Sequence, residues 1–143
     1  MSTETIFHLT PSFFGERERL LVEHGPLSAH TFRYESGVCG LRLKNESGQI
    51  VLLPYQGQQI WSAKFGGHDL TMQTVCAEPR PTQEFLATFG AFLVHCGASA
   101  IGGPSKEDTH PLHGELPNAP YQTAYLVAGQ DEGGTGTALV ARP

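Results

Sequence analysis

The sequence predicts an all-β chain folded as an antiparallel β-sandwich. Two observations carry that expectation. Apolar and polar residues alternate with a period of two in Thr31-Phe32-Arg33-Tyr34, in Leu41-Arg42-Leu43-Lys44 and from Trp61 to Phe65. Such alternation puts one strand face on a core and the other in water. Between these runs stand turn formers: Glu35-Ser36-Gly37, Asn45-Glu46-Ser47-Gly48 and Phe65-Gly66-Gly67-His68.

The elements follow in order. Strands are expected near 19–24, 28–34, 38–44, 49–53, 58–65, 91–95 and 121–128, with a weaker one near 137–141. Short strands at this spacing suit a sandwich or a barrel. Trp61 and Phe65 are expected to pack inside it, although aromatic rings such as these and Tyr55 can also stack on a sugar face. One stretch invites a helix: Pro81-Thr82-Gln83-Glu84 resembles a Thr N-cap with an acid behind it, leading into Phe85–Phe89, and Gly90 stops it. From Cys96 to Pro120, glycines and prolines break any regular element into one long loop. Loops of that length inside a compact domain are usually functional or disordered, and the two histidines and three acids of this one favour function.

The end of the chain reads as a hairpin. Ala124-Tyr125-Leu126-Val127-Ala128 is apolar, Gly129–Gly136 is the turn, and a second strand stops almost as it begins. The expectation is an open apolar edge, covered by a second copy of the chain in a homodimer or by the rest of a longer protein.

Composition bounds the function. The 143 residues suit a single domain over 1–143, and with 39% hydrophobic and 16% charged residues a packed core is expected. Nine basic and fourteen acidic residues leave a net charge of −5, and the lysines and arginines are scattered. That balance argues against a nucleic-acid partner. No apolar run approaches the length that spans a membrane, and Met1–Thr10 lacks a signal-peptide pattern. Cys39, Cys76 and Cys96 are odd in number and form no CxxC. Reduced thiols in a cytoplasmic protein, with no membrane partner, are therefore expected.

The densest polar cluster is Glu107–Asn118. A histidine followed by glycine in a proline-bounded loop can present its imidazole to a pocket, because glycine lets backbone and ligand come close. Such an imidazole donates a hydrogen bond or a proton to a sugar oxygen. The Asn118 amide both donates and accepts, which suits vicinal hydroxyls. His110, His113, Glu115 and Asn118 are thus the candidate binding residues for a small-molecule sugar, and His113 the candidate catalytic one. The plainer alternative makes both histidines solvent-facing loop residues.

His110, His113 and Glu115 also make a donor set for a transition metal. A cupin-type site, however, wants His-x-His and a later histidine, and His113 is the last one in the chain. No metal or other cofactor is expected. Cys96 directly follows His95, so the two would point to opposite strand faces, and Cys96 is expected as a small buried hydrophobe. His68 is expected to be exposed, and Gln83-Glu84 to act as a helix cap.

Two segments resemble the galactose mutarotase-like (aldose 1-epimerase) superfamily. Ile50-Val51-Leu52-Leu53-Pro54-Tyr55-Gln56-Gly57-Gln58-Gln59-Ile60-Trp61-Ser62-Ala63-Lys64-Phe65-Gly66-Gly67 is similar to that family's opening strand, glycine-bearing turn and Trp-containing hairpin. His110-Pro111-Leu112-His113-Gly114, followed by Asn118, resembles its sugar-pocket loop. Together they span about residues 49–120.

The resemblance implies a β-supersandwich that opens a sugar ring at the anomeric carbon and lets it close on the other face. In that chemistry a glutamate takes the anomeric hydroxyl proton, a histidine protonates the ring oxygen and a second histidine binds the sugar. Of those groups, only the loop histidine has a counterpart here, His113. Relatives are about twice as long, so the remaining histidine and the glutamate base would lie beyond Pro143. Glu115 stands where many relatives carry an apolar residue or an arginine.

Three readings follow: a sugar 1-epimerase in its full-length form, a catalytically silent carbohydrate-binding half-domain completed by dimerisation, or a metal-dependent cupin-like isomerase. With Lys106 the nearest cation in sequence to His113, a neutral sugar is favoured.

Overall fold

Two antiparallel sheets form in the computed structural model, which describes residues 4–130, 133 and 136–143. The strands are β1 (Thr5–Leu9), β2 (Arg19–His24), β3 (Leu27–Arg33), β4 (Cys39–Asn45), β5 (Gly48–Leu52), β6 (Ile60–Phe65), β7 (His68–Asp69), β8 (Ala124–Gln130) and β9 (Thr137–Arg142). β2 to β7 make one sheet as a simple meander in chain order, and the other sheet runs β1-β8-β9. The all-β antiparallel sandwich expected from the period-two runs is the architecture.

Alternation builds the core. Leu9, Phe14, Ala29, Leu41, Leu52, Ala124 and Leu126 are buried together, drawn from both sheets, and Leu43, Ile50 and Leu139 pack against them. Burying each large aliphatic side chain of this kind contributes about 1.5–3 kcal/mol. Thr31 is the polar exception in β3, and its hydroxyl donates to Phe13 O (2.7 Å). A second cluster, Val38, Leu53, Trp61, Cys76 and Ala91, joins the six-stranded sheet to the segment that follows β7.

Several expectations need correction. The register runs Ile50↔Ala63, Val51↔Ser62, then Leu52↔Ile60, so a bulge falls at Trp61. An extra residue breaks the alternation. Ile60 joins the core between the sheets, whereas Trp61 is buried in the second cluster. Phe65, expected inside, is 38% exposed at the end of β6. The strand expected at 91–95 reduces to a bridge between Ile60 and Leu93. β1 carried no alternation strong enough to be expected, and forms because β8 offers it an edge.

The helical stretch is a single 3-10 turn, Phe85–Thr88. Glu84 stands at its N-cap position, yet its side chain makes no capping hydrogen bond. Cys96 is exposed, and all three cysteines are free thiols. The hairpin pairs β8 with β9 from Tyr125↔Arg142 to Gln130↔Thr137. Residues 131, 132, 134 and 135 of its expected turn lie outside the described residues. β9 is an edge strand, as expected. Among the described residues no helix is long and apolar enough to cross a membrane.

Candidate functional site

The long loop is organised by its own backbone. Gly97 N–H donates to His113 O (2.9 Å), His113 N–H donates to Gly102 O (2.8 Å), and Gly114 N–H donates to Pro111 O (2.9 Å). Gly97 and Gly114 thereby meet as a parallel bridge. Gly114 must be glycine: its φ is +82°, and a Cβ there would strike the carbonyl oxygens of Gly97 and Ala100. His113 itself has φ +63°, an unusual state for a residue with a side chain.

Buried amides tie the end of the loop to the sheet. Gln59, fully buried, donates through Nε2 to Pro117 O (2.6 Å) and to Asn118 Oδ1. Gly57 N–H donates to Ala119 O (2.8 Å), with φ +61° and no room for a side chain against Pro117 O. The loop following β5 thus sets where Pro117 and Asn118 stand.

Residues 83–86 and 111–118 then enclose a cleft of about 490 Å³. That volume falls within the size of small-molecule sites, about 300–1,000 Å³. Phe85, Leu112 and Pro117 line it with apolar residues and Gln83, Glu84 and Glu115 with polar ones, while Asn118 lines it with its amide oxygen held by Gln59 and its Nδ2 buried.

The four residues singled out in the sequence divide. Glu115 and Asn118 line the cleft, whereas neither histidine is on its wall. The His113 ring lies against Phe85, and its Nδ1 is buried without a partner. His110 donates from Nδ1 to Pro111 O (2.8 Å), and its Nε2 is 3.8 Å from Asp108 Oδ2. Glu115 accepts from Ser99 N–H (3.1 Å). Hydrogen bonds from the Ser99 hydroxyl and amide hold the Glu115 carboxyl below its ordinary range, so it is ionised at neutral pH. The Ser105 amide and hydroxyl lower Asp108 in the same way.

Phe85, Glu84 and Gln59 are the residues that sequence reasoning missed. Gln83-Glu84 has the look of a helix cap, and only the fold shows that Glu84 faces the histidine loop across a cleft. Gln59 sits in the polar Gln56-Gly57-Gln58-Gln59 turn just before β6, where nothing in the sequence marks one glutamine as buried. Among the described residues, no three His, Cys, Asp or Glu side chains gather as they would to hold a metal ion. Set against family models, curated proteins and solved structures, the chain gives no significant match.

Proposed function

We propose that the chain binds a small saccharide in the cleft between Gln83–Leu86 and Pro111–Asn118. One observation carries this reading: Phe85 lines the same cleft as the two acids Glu84 and Glu115 and the amide residue Gln83. Sugars combine an apolar C–H face with a rim of hydroxyls. An aromatic ring suits the first, while carboxylates and amides accept from or donate to the second. The resemblance of residues 49–120 to the galactose mutarotase-like superfamily supports the same ligand class. In this proposal a second copy of the chain pairs along the free edge of β9, and sedimentation velocity reads that assembly.

Calorimetric titration of the full chain with common mono- and disaccharides tests binding. Phe85→Ala is expected to weaken the interaction about tenfold, the loss of one aromatic contact worth about 0.5–1.5 kcal/mol beyond its buried area. Glu115→Gln, which keeps the size but not the charge, should weaken it as well. The reading fails if no saccharide binds, or if Phe85→Ala binds as wild type does.

A second reading, ring opening at the anomeric carbon, is favoured by the presence of Glu84 and Glu115 on the two segments of one cleft. Glu115 is ionised and so can accept the anomeric hydroxyl proton, but the Ser99 hydrogen bonds that lower its pKa weaken it as a base. The ring oxygen also needs an acid, and the imidazoles of His110 and His113 are engaged away from the cleft. Polarimetry on freshly dissolved glucose and galactose is expected to show the spontaneous rate. Acceleration that disappears in Glu115→Gln would establish catalysis instead.

A further inference from the structure

The cleft does not stand alone. A depression of about 280 Å³ shares Gln83 and Asn118 with it, and shares Tyr55, Gln56 and Pro81 with a third pocket of about 450 Å³ beyond. Pockets that share lining residues adjoin one another, so the three lie in a row. The cleft alone already has the volume of a complete small-molecule site.

The far pocket carries the opposite charge. Arg33, the last residue of β3, stands there beside its cross-strand partner Cys39, with Tyr55 and Val38 on the same wall. Its Nη2 donates to Pro11 O (2.8 Å). Its Nε is buried without a partner, and among the described residues no carboxylate lies within 4.0 Å of the guanidinium. Burial pushes the Cys39 thiol up despite Arg33, so it remains neutral and does not pair as a thiolate. The Tyr55 hydroxyl is likewise buried, without a partner, and its acidity is suppressed by burial, which keeps it an O–H donor. A guanidinium with no carboxylate partner, held on one side by Pro11 O and Cys39 and with its Nε unsatisfied, beside a phenol without a partner, is chemistry that a carboxylate suits.

We infer that the Arg33 pocket is a carboxylate subsite of the same row of pockets, so that the ligand class is an acidic oligosaccharide bearing a uronate. This rests on the saccharide reading of the cleft and adds to it the substituent at the far end. A guanidinium fork matches carboxylate and phosphate geometry alike, and the saccharide reading of the cleft is what favours the uronate.

The test pairs trimers of galacturonate and of mannuronate with their methyl esters, which keep the hydroxyls and remove the charge. Calorimetry on the full chain is expected to give the acid form about tenfold to a hundredfold tighter binding than its ester, the range for a hydrogen bond to a charged group. Arg33→Gln should erase that preference, so that acid and ester bind alike. Should Arg33→Gln fail to fold, wild type alone suffices: the acid preference should shrink as salt rises from about 0.02 to about 0.3 M. Equal binding of acid and ester, or a preference that survives both Arg33→Gln and salt, overturns the subsite and leaves the cleft reading standing. Absence of binding by every saccharide overturns both.

Discussion

The imidazole of His113 lies 4.8 Å from the ring of Phe85, centroid to centroid, at an interplanar angle of 57°. The contact joins the segments on the two sides of the cleft. It also shows why a histidine at this position need not reach a ligand to matter. At φ +63° the backbone of residue 113 is bent so that its amide and carbonyl hold the loop closed, and the side chain follows the bend toward Phe85.

His113→Ala is expected to cost about 0.5–1.5 kcal/mol of stability through loss of the ring pair. His113→Gly loses the same ring but releases the left-handed strain, worth about 1–2 kcal/mol for a residue with a Cβ. The glycine variant should therefore be the more stable of the two in urea unfolding. The reverse order would mean that the loop base does not depend on this backbone state.

Asn118 and Gln59 form a buried amide pair, and either one alone should be hard to remove. Asn118→Ala is expected to lower unfolding free energy by about 1–3 kcal/mol, since it leaves a buried donor short of a partner. In a double-mutant cycle with Gln59→Ala the two losses should fail to add, by about 0.5–3 kcal/mol. Simple additivity would show that the amides do not act together.

Trp61→Ala should cost about 3–5 kcal/mol, because the bulge buries the ring fully in the second cluster. Phe65→Ala, at the exposed end of the same strand, should cost about 1 kcal/mol. Denaturant titration of both variants decides, and similar losses would place both rings in the core.

Acid should release one surface contact in a defined window. Hydrogen bonds from Thr71, and then Lys64 with its Nζ 3.0 Å away, draw the Asp69 carboxyl from 3.8 to about 2. A folded value below the unfolded one means that the contribution is present above about pH 4 and fades as pH falls through about 2. Asp69→Asn should therefore be less stable than wild type near neutrality, with the gap closing toward pH 2. A gap that stays constant across that range would remove Asp69 from the account.

The sandwich was legible because period-two alternation reports directly on which face of a strand is buried. Leu41, Leu43, Ile50 and Leu52 all fall where that pattern sends them. Trp61 marks its limit: one extra residue in β6 changes its face, and nothing local in Ile60-Trp61-Ser62 announces a bulge, while Phe65, two residues on from buried Ala63, is exposed because it ends the strand. At the cleft, Glu115 and Asn118 were readable because they lie in the same polar loop. Glu84 and Phe85 were not, since 25 residues of chain lie between Phe85 and Pro111 and only folding brings the segments together. The histidines show a third kind of gap. Sequence identifies an imidazole beside a glycine but not the direction in which a left-handed backbone will aim it.

The bridge between Gly97 and Gly114 has a consequence for how this chain tolerates change. Because the backbone leaves and returns at one point, the stretch between them is an excursion whose stem is fixed independently of its tip. Residues 103–109 at that tip are exposed throughout. The tip at 103–109 can therefore be lengthened, shortened or recoded without shifting Glu115 or Asn118, and a reporter group grafted near Lys106 would ride on the protein as a passenger.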